Sequence, residues 1–369
     1  MKVPFVDLPS QFQALRSELE AALAPIYETC DFTLGGAVGR FETSFAAYLG
    51  AQHCVGVANG TDAIQLALRA LDIGPGDEVI TTANTFVATV TAIYQSGART
   101  VLVDCDPISY NIDIEQLRAA ITPRTRAIVP VHLYGQPADM DAVLGVARDH
   151  GLRVVEDAAQ AHGAYHGDQA AGTLGDLGCF SFYPGKNLGG SGDGGAVITN
   201  DGTLAEKLRS LRIYGVGEPF QYALKGINSR LDTVQAAVLG VKLPYLDDWN
   251  RKRFAHAATY ADRLAGLVKT PGIVNRATEG RLPHVFHLYV ICANDRDRVA
   301  AELAERGVAT GKHYPVPIHM QPAYQDLGYA QGAFPAVESY AAELLSLPMA
   351  AELSDDQVRY VCDSLAAII

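Results

Sequence analysis

One lysine, Lys186, stands in a glycine-rich stretch between two short apolar runs, in residues 179–200, CFSFYPGKNLGGSGDGGAVITN. The runs 179–183 and 195–199 each read as a strand. Pro184, Gly185, Gly189, Gly190, Gly192, Gly194 and Gly195 lie between them or at their edge. Backbone so rich in glycine can approach a ligand closely. A lysine presented there is either a solvated loop lysine or a nucleophilic amine. Upstream, residues 152–160 read LRVVEDAAQ. The run 152–155 reads as a buried parallel strand with Glu156 and Asp157 at its carboxyl end, the edge where open α/β sheets bind ligands. An acid at that place either caps the next helix or serves a ligand.

Taken together, the two features supply what pyridoxal phosphate chemistry needs. The lysine makes a Schiff base, and the carboxylate keeps the pyridinium nitrogen protonated, so that the ring withdraws electrons from the substrate's Cα. A third element completes the set. Residues 55–63, VGVANGTDA, run from a strand into an amphipathic helix over 64–71. Free N–H groups at a helix start, with Gly60 and Thr61 there, form a phosphate site. The plainer reading is an N-cap by Thr61 or Asp62.

With these residues in this order, the chain resembles the sugar aminotransferases of the DegT/DnrJ/EryC1/StrS group. The segments that carry the resemblance are NGTDAIQLAL, GDEVITTANTFVATVTAI, PVHLYGQPADMD, VVEDAAQAHGA, GTLGDLGCFSFYPGKNLGGSGDGG, INSRLDTVQAAVL and HYPVPIHMQPAY, spread over residues 59–324. The form SFYPGKNLG with GDGG is closer to members acting at C3 of dTDP-linked 3-keto-6-deoxy sugars than to GDP-perosamine-type members. The resemblance implies an α/β fold of the aspartate aminotransferase kind (fold type I). It implies pyridoxal 5'-phosphate as cofactor, L-glutamate as amino donor and a nucleotide-linked keto-sugar as acceptor. It also implies roles for particular residues. Phe86 stacks on the pyridine ring, and Gln160 bonds the phenolic oxygen. Ser181 binds phosphate with Gly60 and Thr61. Asn228 reaches the phosphate from a neighbouring subunit, which makes the functional unit at least a homodimer with shared sites. Tyr183, His313 and Tyr314 line the sugar pocket, and Lys225 and Arg230 either meet the diphosphate or are surface charges. Each also has a plainer reading: Phe86 as a core aromatic, Asn228 as a helix cap, His313 as a core or surface histidine. His162, His284, His287 and His319 show no metal-ligand spacing and receive no role. Other readings stay open: elimination or decarboxylation with the same cofactor, a 4-keto nucleotide sugar, or a silent regulatory relative. The related sugar 3-dehydratases carry histidine in place of the lysine, and Lys186 sets this chain apart from them.

The elements that must position these residues alternate. Strand-like runs are expected at 54–57, 78–82, 100–104, 127–131 and 153–156. Helical ones are expected at 12–27, 40–48, 63–71, 87–96, 114–120 and 140–150. Such alternation implies a mostly parallel sheet with helices on both faces. It breaks after a helix at 235–242. The polar stretch 244–252, with Trp249, reads as a boundary between a large cofactor-binding domain (1–243) and a small C-terminal α+β domain (244–369). In the small domain, helices are expected at 295–306, 336–345 and 354–369, and strands at 287–292 and 307–311.

Composition sets outer bounds. With 369 residues, 49% of them apolar, the chain can bury a sizeable core. A net charge of −12 argues against a general nucleic-acid or membrane-surface binder, and means that an anionic nucleotide-sugar needs a local basic patch. Six widely spaced cysteines lack the paired spacing of a zinc site or a disulfide framework and suit a reducing cytoplasm. The N-terminus lacks the apolar core of a signal peptide.

Overall fold

The computed structural model describes residues 1–218 and 220–369. Two helices, α1 (Leu8–Thr29) and α2 (Gly36–Leu49), precede a run of alternating strands and helices. These are β1 (His53–Val57), α3 (Gly60–Ala70), β2 (Glu78–Thr82), α4 (Val87–Ser96), β3 (Arg99–Val103), α5 (Ile114–Ala119), β4 (Thr125–Val129), α6 (Met140–His150) and β5 (Arg153–Asp157). A short ribbon, β6 (Tyr165–His166) with β7 (Gln169–Ala170), leads to β8 (Leu177–Ser181) and β9 (Gly195–Thr199), then to α7 (Gly202–Leu211) and α8 (Thr233–Lys242).

Seven strands form one sheet in the order β1-β9-β8-β5-β4-β2-β3, and β9 runs antiparallel to both of its neighbours. The strands are buried on both sides, as continuous apolar runs in a helix-covered sheet must be. Their period of two sends alternate side chains to opposite layers. Val55, Val79, Val129, Val155, Cys179 and Val197 pack with α3, α4 and α7. Ile80, Ile128 and Val154 face α5 and α6. Cys54, Phe180, Ala196 and Ile198 face α2 and α8. The expected mixed, mostly parallel sheet is therefore present, and each strand expected in it from the sequence falls within two residues of its place.

The rest of the chain comprises α9 (Leu246–Arg263), β10 (Tyr289–Cys292), α10 (Arg296–Glu305), α11 (Pro335–Glu343), β11 (Leu344–Leu347) and α12 (Asp355–Ala366). Strands β10 and β11 pair antiparallel, and a second core forms around them with α9, α10 and α12. Val3 joins that core and bridges Val308. Most of the polar stretch 244–252 is the start of α9. Two expectations need correction here. The expected helix 336–345 ends at Glu343, because Leu344, Leu345 and Leu347 bury their side chains by pairing with β10. The expected strand 307–311 reduces to isolated bridges, Val308 with Val3 and Gly311 with Ser346. No helix among the described residues is long and apolar enough to cross a membrane. All six cysteines carry free thiols.

The end of β5 is fastened by Glu156. Its fully buried carboxylate accepts from His132 Nε2 at 2.8 Å, and from the N–H groups of Gly172 at 2.8 Å and of Leu174 and Gly175 at 2.7 Å each. His132 Nδ1 accepts from the Ala138 N–H, which sets the ring as the Nε2–H tautomer. We expect Glu156→Ala to cost about 3–5 kcal/mol, because buried donors lose their acceptor. Urea unfolding measures this; a loss under about 1 kcal/mol would remove Glu156 from that role.

Candidate active site

The carboxyl ends of β1, β2, β5 and β8 and the start of antiparallel β9 meet at one sheet edge. A cavity of about 540 Å³ opens there. Of the residues expected from the sequence, Gly60, Thr61, Phe86, Asp157, Gln160, Ser181, Tyr183, Lys186, His313 and Tyr314 all line it. Asn228, Lys225 and Arg230 do not. Asn228 and Lys225 are exposed and Arg230 half-buried, on the segment between α7 and α8.

At the end of β1, Asn59 is the N-cap of α3, its side chain accepting from the Asp62 N–H at 2.8 Å. The cap is thus Asn59 and not Thr61 or Asp62. The Gly60 and Thr61 N–H groups are left with no partner among the described residues. A Cβ on Gly60 would fall 2.7 Å from that of Ser181, and one on Gly195 would fall 2.4 Å from the Asn59 carbonyl oxygen. Glycine at both places lets α3, β8 and β9 converge into a narrow cradle. Ser181 Oγ sits in it and accepts from the Tyr183 N–H at 3.3 Å.

Asp157 is buried at the end of β5. Its Oδ2 accepts from Thr89 Oγ1 at 2.8 Å, and its Oδ1 from the Ala159 N–H at 3.2 Å. Thr89 spends its one proton on Asp157, so Thr85, at 2.8 Å, donates to Thr89. Gln160 Oε1 accepts from the Tyr134 N–H at 2.6 Å, and its Nε2 donates to Tyr314 Oη at 3.1 Å. Burial pushes the Tyr314 phenol up, so it stays neutral. Phe86 is 51% exposed at the cavity mouth, with its ring centroid 5.6 Å from that of Tyr314. A core role for Phe86 is thereby excluded. His313 bonds Ser346 Oγ through Nδ1 at 2.8 Å and stacks on Phe5 at 5.7 Å. Burial, with the nearby Lys186 charge second, takes it down to about 4.

The lysine loop is tied at several points. The Lys186 N–H bonds the Tyr183 carbonyl, Lys242 Nζ reaches the Gly189 carbonyl, and Gln235 Oε1 accepts from the Ser191 N–H. Burial pushes the Lys186 amine down to about 8, against the opposite pull of Asp157. Sequence reasoning missed Phe5, Asp193 and His287 in the cavity wall. Asp193 lay in the lysine stretch itself and was legible there. Phe5 and His287 come from remote segments with no local signal.

Residues 13–366 match the DegT/DnrJ/EryC1/StrS aminotransferase family. The chain belongs to that family. It is 48% identical over 366 residues to a pleiotropic regulatory protein of Geobacillus stearothermophilus, covering 99% of this chain and 98% of the other. It is 47% identical over 364 residues to the dTDP-3-amino-3,4,6-trideoxy-alpha-D-glucose transaminase of Streptomyces venezuelae, covering 99% and 95%. The solved structure of S. venezuelae DesV, in complex with a ketimine intermediate, superposes with a TM-score of 0.95 at 46% identity, covering 99% of this chain and 98% of that one. The fold is that of the type I pyridoxal phosphate transferases, and the chain is a pyridoxal phosphate-dependent aminotransferase. The site fits the cofactor on its own terms. Unpartnered N–H groups in a cradle that a Cβ would fill suit a phosphate. A carboxylate and a low-pKa amine at the same edge suit a pyridine ring and its aldehyde.

In the cofactor-free protein we expect Lys186 to titrate near 8 in a competitive acetylation series, read by mass spectrometry peptide by peptide. At pH 7 it should then carry about two to three orders of magnitude more neutral amine than an ordinary lysine. A Lys186 curve lying on those of the surface lysines would sink this reading.

Proposed function

We propose that the protein transfers an amino group from L-glutamate to a nucleotide-linked keto-sugar, at C3 of a dTDP-3-keto-6-deoxyhexose. The observation that carries the reading is the meeting of Lys186, Asp157 and the Gly60–Thr61–Ser181 cradle at one sheet edge. When bound, the cofactor supplies an aldehyde that takes up the amino group and a ring that stabilises negative charge at the donor's Cα. The Gly60 and Thr61 N–H groups and the Ser181 hydroxyl hold the phosphate. Asp157, oriented by Thr89, keeps a proton on the ring nitrogen. Phe86 would cover the ring face, and Gln160 would bond the phenolic oxygen. Lys186 Nζ, neutral in part at physiological pH, takes a proton from the donor's Cα and returns it on the far side of the exchange. Tyr183, His313 and Tyr314 form the wall against the sugar.

The cavity wall carries two carboxylates, Asp157 and Asp193, and one amine, Lys186. A diphosphate therefore needs cations from elsewhere. This supports a homodimer in which the partner subunit's Asn228 reaches the phosphate, and the partner subunit's Lys225 and Arg230 meet the nucleotide. The free cysteines fit a cytoplasmic enzyme. A second reading, a regulatory role beside the transfer, draws support from the likeness to the Geobacillus regulatory protein.

Two experiments test these readings. Purified protein loaded with cofactor is mixed with L-glutamate and a panel of dTDP- and UDP-linked 3-keto and 4-keto sugars, read by mass spectrometry. We expect loss of the visible absorbance band with glutamate, and amination of a dTDP-linked 3-keto sugar. An unchanged band and no aminated sugar would overturn the proposed donor and acceptor. The second experiment mixes Lys186→Ala with Asn228→Asp. Each is expected to be inactive alone, the second because a carboxylate beside the phosphate repels it. Subunit exchange should restore activity, since a hybrid dimer holds one intact site. No recovery despite demonstrated exchange would place the two residues outside a shared site.

A further inference from the structure

The side chain that follows Lys186 is buried and fully used. Asn187 Nδ2 donates to Asn250 Oδ1 at 2.8 Å and to the Val285 carbonyl at 3.0 Å. Both amide hydrogens are then spent, so Asn187 Oδ1 must accept in its third contact, with His287 Nδ1 at 3.2 Å. This makes His287 the Nδ1–H tautomer with Nε2 unprotonated. Burial holds that imidazole well below its ordinary range, so it remains neutral at the cavity wall. Asn250, on α9, passes the tie onward by donating Nδ2 to the His162 carbonyl at 2.8 Å. Gly163 belongs to the same joint. Its φ of 80° lies in the left-handed region, and a Cβ there would come within 2.8 Å of Asn250 Nδ2. The series His287–Asn187–Asn250–His162 therefore fastens the lysine loop to three separate parts of the chain. These are α9, the segment before β10, and the turn five residues beyond Asp157.

None of these contacts lies in the phosphate cradle or against the ring-binding residues, yet they act on the backbone immediately after the amine. We propose that Asn187 is a positioning residue for Lys186: anchored at three points, it holds the amine in its water-poor place at the end of β8, across from Asp157. This rests on the reading of Lys186 as the reactive amine. The groups coupled most closely to that amine are Asp157 from β5, His162 from the following turn, His287 from the segment before β10 and His313 from the facing wall, and Asp193, Tyr183 and Tyr314 line the same cavity. The three imidazoles are neutral, with burial taking His162 to about 3 and His313 to about 4. A change in the titration of Lys186 therefore reports its hydration and its placement relative to Asp157.

The test uses cofactor-free full-length protein, the acetylation series above, and circular dichroism to establish folding. The parent, Asn187→Ala and Asn250→Ser are compared. We expect Lys186 to titrate near 8 in the parent and at least one unit higher in both variants, an about tenfold loss of neutral amine at pH 7. The rate at which added pyridoxal phosphate develops its visible band should fall in step. A merely structural asparagine would lower the melting temperature and leave Lys186 near 8, and that result in folded variants overturns the proposal. Should Asn187→Ala fail to fold, Asn250→Ser leaves the lysine loop intact and carries the test with the same two outcomes. A parent Lys186 that titrates with the surface lysines overturns the underlying reading instead, and the proposal with it.

Discussion

Two adjacent carboxylates end β5, and the molecule treats them oppositely because strand side chains alternate. Glu156 turns into the protein and is saturated by an imidazole N–H and three backbone N–H groups. A buried charge demands that saturation. Asp157 turns to the cavity, where a threonine and one backbone N–H hold it. The first carboxylate thus fixes the strand end, β4's extension through His132, and the loop at 172–175. The second inherits that rigidity and presents an oriented charge to a ligand. A site on a strand end gains its precision from such support.

The lysine is held by the opposite device. Its loop is glycine-rich, and such backbone is costly to order. Side chains from outside restrain it: Asn250 and His287 at Asn187, Lys242 at Gly189, and Gln235 at Ser191. Burial of the amine lowers its affinity for a proton, against the opposite pull of Asp157. The chemistry asks for a base near neutrality, which an exposed lysine does not supply.

Charge also limits what the cavity can hold unaided. The chain is strongly acidic, and among the described residues Lys186 is the one amine in the cavity wall. Lys225, Asn228 and Arg230 stand apart on the segment between α7 and α8, where Tyr214 and Tyr222 are also exposed. Among the described residues, the cavity wall of one chain thus carries no cationic side chain beyond Lys186 for an anionic nucleotide.

The sequence by itself determined the sheet, the lysine loop and the acid at the strand end. Each rests on local rules: continuous apolar runs for buried strands, glycine for close backbone approach, and strand ends for ligand sites. Local rules also placed Gly60 and Thr61, while Ser181 and Phe86 were assigned through the family resemblance. The local rules failed where burial was decided at a distance. Helix α9 hid in a polar stretch because its inward face includes His256 and also Asn250 and Arg253, and the partners of these last two lie far along the chain. The end of α11 was misread because only pairing with β10 tells a strand from a helical apolar run. Asn59 displaced Thr61 as the cap through backbone conformation, which spacing does not reveal. Phe5 and His287 entered the cavity because the N-terminal segment and the segment before β10 dock against the sheet edge. Which imidazole stays neutral, which lysine loses its water and which asparagine holds it there were decided by tertiary structure alone. Desolvation depends on everything packed around a group, and the sequence records only its neighbours along the chain.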